Sequence, residues 1–139
     1  MAQQIRELMT PNPVVLPGTA SVHEAARAMR DADISDVIVI ENNQICGIVT
    51  DRDIVVQLVA EAWDPVSTKL ADLCSHPLVT ITPTDSIEQA VQLMRSKAIR
   101  RLPVVEGGQA VGIVSLGDLA VERDPGSALG DISAASPNT

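Results

Sequence analysis

The sequence predicts an α/β (α+β) fold built from two copies of one β-α-β-β-α unit, and three observations predict it. An ungapped shift of 65 residues aligns residues 5–54 with 70–119, and 15 of those 50 pairs are identical, among them Val14/Val79, Ser21/Ser86, Met29/Met94, Gly47/Gly112 and Asp53/Asp118. Most other core pairs exchange one aliphatic residue for another, the mark of a duplication. A strand running straight into a helix recurs at that spacing: Gly47-Ile48-Val49-Thr50 leads to Asp53, and Gly112-Ile113-Val114-Ser115 to Asp118. Each copy also has apolar residues at helical spacing, followed by two apolar runs separated by a turn.

The elements follow in order. Ile5 to Met9 and Leu70 to Cys74 read as short helical lead-ins, stopped by Pro11, Pro13 and Pro77. Val14 to Leu16 and Leu78 to Ile81 read as short strands. Ser21 with Glu24, and Ser86 with Gln89, have the spacing of capping boxes that open helices. Val22, Ala25, Ala26 and Met29 share one helix face, as do Ile87, Ala90, Val91 and Met94. Hairpins are expected from Val37 to Val49 across Asn42-Asn43 and from Leu102 to Val114 across Gly107-Gly108, because Asn and Gly tolerate the positive φ of tight turns. The strands are apolar at nearly every position, so both sheet faces should be covered. A last helix in each half runs to about Ala62 or Val121. The expected organisation is repeat 1 over 5–62, a linker over 63–69, repeat 2 over 70–122 and a tail over 123–139, most of it loosely ordered. Neither half buries its sheet well alone, so the two are expected to pack as a pseudo-two-fold pair.

Composition narrows the function. The 139 residues are 45% hydrophobic, but with one Trp and no Phe or Tyr the core must be aliphatic, and no stacking platform for single-stranded nucleic acid is available. A formal charge of −8 also argues against nucleic acid, whose binding rests on Lys and Arg neutralising phosphates. No apolar run reaches membrane-spanning length and the N-terminus lacks a signal-peptide core, so the cytoplasm is the expected location. Cys46 and Cys74 occupy the slots of Val111 and Met9, which reads as buried thiols rather than a disulfide. His23 and His76 are isolated, no metal-ligand spacing is present, and nothing points to an enzyme.

The recurring chemistry is therefore a hydroxyl at a helix start with a carboxylate three residues on: Thr50/Asp53 and Ser115/Asp118. One reading is a capping box worth about 1 kcal/mol that needs no ligand. The other is an anion site, where backbone N–H groups and the helix dipole attract a phosphate. Glu24 and Gln89 serve where only capping is wanted, and Asp recurs in both copies of the motif, which favours the second reading.

The whole arrangement resembles the cystathionine-β-synthase (CBS) domain pair, or Bateman module. The resemblance rests on Leu8-Met9-Thr10-Pro11, the Met29-Arg30 and Met94-Arg95 helix ends, Ile99 to Val105, and both Gly-Ile-Val-(Thr/Ser)-x-x-Asp motifs, and it covers about residues 5–121. It is similar to stand-alone bacterial CBS-pair proteins of the hypoxic response type. The resemblance implies a regulatory sensor that binds an adenosine-containing ligand between its halves, with AMP or ATP first and ADP, NAD(H) or S-adenosylmethionine also in the family's range. It implies Asp53 and Asp118 as ribose acceptors, Thr50 and Ser115 as phosphate donors, and Val14, Val79 and Pro103 as apolar neighbours of the purine. Arg100 and Arg101 precede the second hairpin where the first half has Ser35 and Asp36, so the second site is expected to favour the phosphorylated ligand, with Arg52 a partial substitute in the first. The family also implies a flat homodimer formed through helices; the helix Ile54 to Val59 is apolar almost all round and needs a cover. The rival reading is a homodimeric interaction scaffold with vestigial nucleotide sites and a downstream partner the sequence does not name.

Overall fold

A computed structural model describes residues 3–74 and 78–135. The chain divides into two compact units, Pro13–Leu78 and Met1–Asn12 with Val79–Thr139. Both have the predicted α/β character, but the units do not follow the linear halves, because the first lead-in belongs with the second half.

In the unit Pro13–Leu78, strands β2 (Val15–Pro17), β3 (Asp36–Glu41) and β4 (Gln44–Thr50) form a sheet in the order β2-β3-β4. β2 runs parallel to β3, with Ile38 N–H donating to Val14 O at 2.9 Å, and β3 is antiparallel to β4. The β3–β4 turn places Asn42 and Asn43 at φ of 52° and 62°, the left-handed pair a tight hairpin requires. Between β2 and β3 lies α1 (Val22–Ala32), opened by Ser21, whose Oγ accepts from Glu24 N–H at 3.0 Å. Val37, Ile38 and Val39 are all fully buried, and since successive residues point to opposite faces, both faces of this strand are covered. The core joins Val22, Ala25 and Met29 of α1 to Val37, Val39 and Val49. Leu70 and Leu73, from the 3₁₀ turn Leu70–Asp72, complete it.

In the other unit the 3₁₀ turn Ile5–Glu7 plays the equivalent part. Ile5 is fully buried among Ile87, Ala90, Met94, Leu102, Val104 and Val114. Its N–H donates to Asp85 O at 3.0 Å, and Arg6 N–H donates to Pro83 O at 2.9 Å. Strand β1 (Thr10–Pro11) then pairs antiparallel with β6 (Gln109–Ser115), which pairs with β5 (Arg101–Glu106), giving the order β1-β6-β5. A Cβ at Gly112 would lie 2.9 Å from Thr10 O, so this pairing needs glycine there. Each lead-in thus seats on the sheet of the half it does not precede in the duplicated order.

Three expectations change. The strand expected over Leu78 to Ile81 is reduced to one bridge, Ile81 to Val104. Two prolines account for it: Pro83 stands where the first half has Gly18, whose N–H donates to Ile40 O at 2.8 Å, and Pro103 stands where it has Ile38. Proline has no N–H to repeat the Gly18-to-Ile40 or the Ile38-to-Val14 bond, so the ladder loses both rungs. The helix after β4 is an α-turn, α2 (Asp51–Asp53), that widens into a π-helix over Ile54–Val59 and stops short of Ala62. The tail is not loose throughout: beyond α3 (Ile87–Lys97) and α4 (Leu116–Arg123), Ser127 caps a further helix, α5 (Ala128–Ala134). α5 packs on α4 so closely that a Cβ at Gly130 would lie 2.5 Å from Asp124 O and 3.1 Å from Ala120 O.

Candidate functional site: two strand-to-helix turns

The two turns have nearly the same geometry. Asp53 N–H donates to Thr50 Oγ1 at 3.1 Å, and Thr50 N–H donates to Asp53 Oδ2 at 2.9 Å. Asp118 N–H donates to Ser115 Oγ at 3.1 Å, and Ser115 N–H donates to Asp118 Oδ2 at 2.8 Å. Both are closed capping boxes, as is Ser86 with Gln89. The contrast drawn from sequence, Glu or Gln for capping and Asp for a ligand, therefore does not hold, because both aspartates cap. Each box engages Oδ2 with a single N–H, and a carboxylate has about four acceptor positions, so capacity for a diol remains.

The segment before each hairpin is tied to its turn. Asp51 N–H donates to Ser35 O at 3.0 Å, and Leu116 N–H donates to Arg100 O at 2.8 Å. Arg101 lies directly opposite Ser115 in the β5–β6 register, as Asp36 lies opposite Thr50. Arg100, Arg101, Ser115 and Asp118 therefore converge on one corner, with Ser35, Asp36, Thr50 and Asp53 in the matching corner of the other unit. Arg52 is exposed, and its backbone N–H is held by Asp51 Oδ1 at 2.8 Å.

The apolar candidates lie a short step along the same strands. Pro103 is buried opposite Ile113, and its carbonyl accepts from Ile81 N–H at 3.1 Å. Val79 is half-buried against the core of its unit, and Val14 against the other. Arg100 also borders an open groove of about 540 Å³ between α3 and α4, floored by Val91, Met94, Ile99, Leu116 and Leu119.

The chain matches the CBS domain model twice, over residues 5–60 and 70–123. The chain belongs to the CBS-domain family. The CBS pair is 37% identical over 133 residues to the CBS domain-containing protein YhcV of Bacillus subtilis (strain 168), covering 93% of this chain and 94% of that one. It is 28% identical over 116 residues to Hypoxic response protein 1 of Mycobacterium tuberculosis, covering 83% and 81%. Among solved structures, the CBS domain protein PAE2072 from Pyrobaculum aerophilum complexed with AMP superposes with a TM-score of 0.76 at 28% identity, over 86% of this chain and 92% of that one. Among the described residues of this CBS pair, no group of three or more His, Cys, Asp and Glu side chains could hold a metal ion; His76 lies outside the described residues. No helix among them is long and apolar enough to cross a membrane.

Sequence reasoning missed one side-chain encounter. Cys46 Sγ and Cys74 Sγ lie 3.3 Å apart, both half-buried against the core of Pro13–Leu78. Burial raises the Cys74 thiol well above its ordinary value, with the hydrogen bond and charge of Cys46 and the carboxylates of Glu41 and Asp53 adding to it. The available signal was the position of Cys74 at the end of its lead-in, level with Met9, whose sulfur lies against Gly112.

Proposed function

We propose that this CBS pair is a regulatory sensor that binds an adenosine phosphate, AMP foremost, at the Ser115–Asp118 turn. The observation that carries the reading is the convergence of Arg100 and Arg101 on the corner that holds Ser115 and Asp118. In a chain of charge −8, a helix start whose neighbouring backbone carries two successive arginines is where an anion is least opposed. The phosphate meets the arginines and the Ser115 hydroxyl, the ribose diol meets the open acceptor positions of Asp118, and Val79 and Pro103 supply apolar surface for the purine. The AMP bound to PAE2072 supports the ligand class. The Thr50–Asp53 turn has the same polar pair but faces Asp36 rather than arginine, so it is the weaker site for a phosphorylated ligand. The proposed place of work for such a sensor is the cytoplasm.

Thermal stabilisation with AMP, ADP, ATP, NAD(H) and S-adenosylmethionine tests this. A ligand at 100 times its dissociation constant adds about 2.7 kcal/mol. Asp118→Asn keeps an oxygen for Ser115 N–H but loses the charge that favours a diol, so the response should fall while the unliganded melting point holds. No response to any of the five by the folded protein refutes the reading and leaves the interaction scaffold.

We propose further that the chain forms a homodimer through the helix that follows Thr50. Val55, Val56 and Val59 are 57%, 47% and 60% exposed, an apolar stripe that calls for a partner. Val56→Asp should convert a dimer to a monomer in sedimentation; a monomeric wild-type protein would sink the proposal.

A further inference from the structure

The slots occupied by Cys46 and Cys74 do not require cysteine. The duplicated half fills them with Val111 and Met9, which pack on the equivalent core. Here they carry two thiols whose sulfurs touch at 3.3 Å. A disulfide requires about 2.05 Å, so the sulfurs need to close by only about 1.2 Å. Cys46 sits in β4, four residues before Thr50, and Cys74 follows the 3₁₀ turn Leu70–Asp72. A bond between them would close a loop that contains Thr50, Asp53 and the whole π-helix.

We propose that Cys46 and Cys74 form a reversible dithiol–disulfide site, oxidised by a hydroperoxide and reduced by a thiol. One cysteine sulfur attacks the peroxide oxygen; the O–O bond breaks, water or an alcohol leaves, and a sulfenic acid forms. The second sulfur then attacks the first and displaces water, forming the S–S bond. Two thiols lose one electron each and the peroxide gains two. Two equivalents of an external thiol reverse the step by exchange, themselves becoming a disulfide. Burial first, then the contact with Cys46 and the carboxylates of Glu41 and Asp53, opposes thiolate at Cys74, which suits Cys74 to the resolving step.

The test uses the full chain, reduced, freed of reductant and exposed to hydrogen peroxide. The expected result is loss of both titratable thiols, an intact mass lower by about 2 Da, a linked peptide pair containing residues 46 and 74, and a raised melting point, all reversed by dithiothreitol. Cys46→Val and Cys74→Met take the residues of the duplicated slots, so they fold, and neither should show the mass loss or the melting shift. Retention of two free thiols, addition of oxygen without cross-linking, or a disulfide only between chains would each overturn the proposal. Nucleotide binding plays no part in the readout, so its success or failure is separate from that of the sensor reading.

Discussion

Truncating Ile5 to Ala tests the exchange of lead-ins, because the damage should appear in the half of the chain that is far away in sequence. Ile5 is fully buried, and its neighbours are Ile87, Ala90, Met94, Leu102, Val104 and Val114. Removing its three outer carbons forfeits about 0.8 kcal/mol each, and the remaining cavity adds to that, for a total of about 3 kcal/mol. In native-state hydrogen exchange this is about a 150-fold loss of protection. The loss should fall on amides of α3, β5 and β6, with α1 and β3 largely unaffected. Leu70→Ala should give the mirror image, since Leu70 is fully buried with Val22, Ala25, Val37 and Val49. Exchange that accelerates in residues 22–50 of Ile5→Ala, with 87–115 unchanged, would refute the reasoning.

The two capping boxes have matching geometry, so Thr50→Ala and Ser115→Ala, which remove the N-cap hydroxyls, should each cost the unliganded protein about 1 kcal/mol in urea denaturation; a cost at one site only would mean the boxes are not equivalent. Pro103→Ile should restore a rung to the ladder with Val79, read as a slowly exchanging amide at position 103; a fast one would show that Pro103 is not what removes that rung. The raised Cys74 thiol lets the folded chain keep a proton that the unfolded chain has already released, so reduced protein should lose stability as pH climbs above about 8.5. Urea midpoints from pH 7 to 10 should fall less in Cys74→Met; equal decline in the two proteins would assign the effect to other groups.

Features that depend on neighbours a few residues apart are legible along the chain. The hairpins followed from Asn42-Asn43 and Gly107-Gly108, the helix starts from Ser21 and Ser86, and the duplication from one constant shift. The polar pairs Thr50/Asp53 and Ser115/Asp118 were equally legible, although their spacing closes a box with or without a ligand, which is why the motif alone did not decide between capping and binding. Tertiary structure decided which core each lead-in enters. Ile5-to-Met9 and Leu70-to-Cys74 carry the same apolar pattern, so hydrophobicity suits either core, and the choice lies in long-range bonds such as Ile5 N–H to Asp85 O and Leu70 N–H to Ala20 O. The same non-local geometry brought Cys74 beside Cys46. A repeat read along the chain shows which residues correspond; which of them touch is settled only when the backbone comes back on itself.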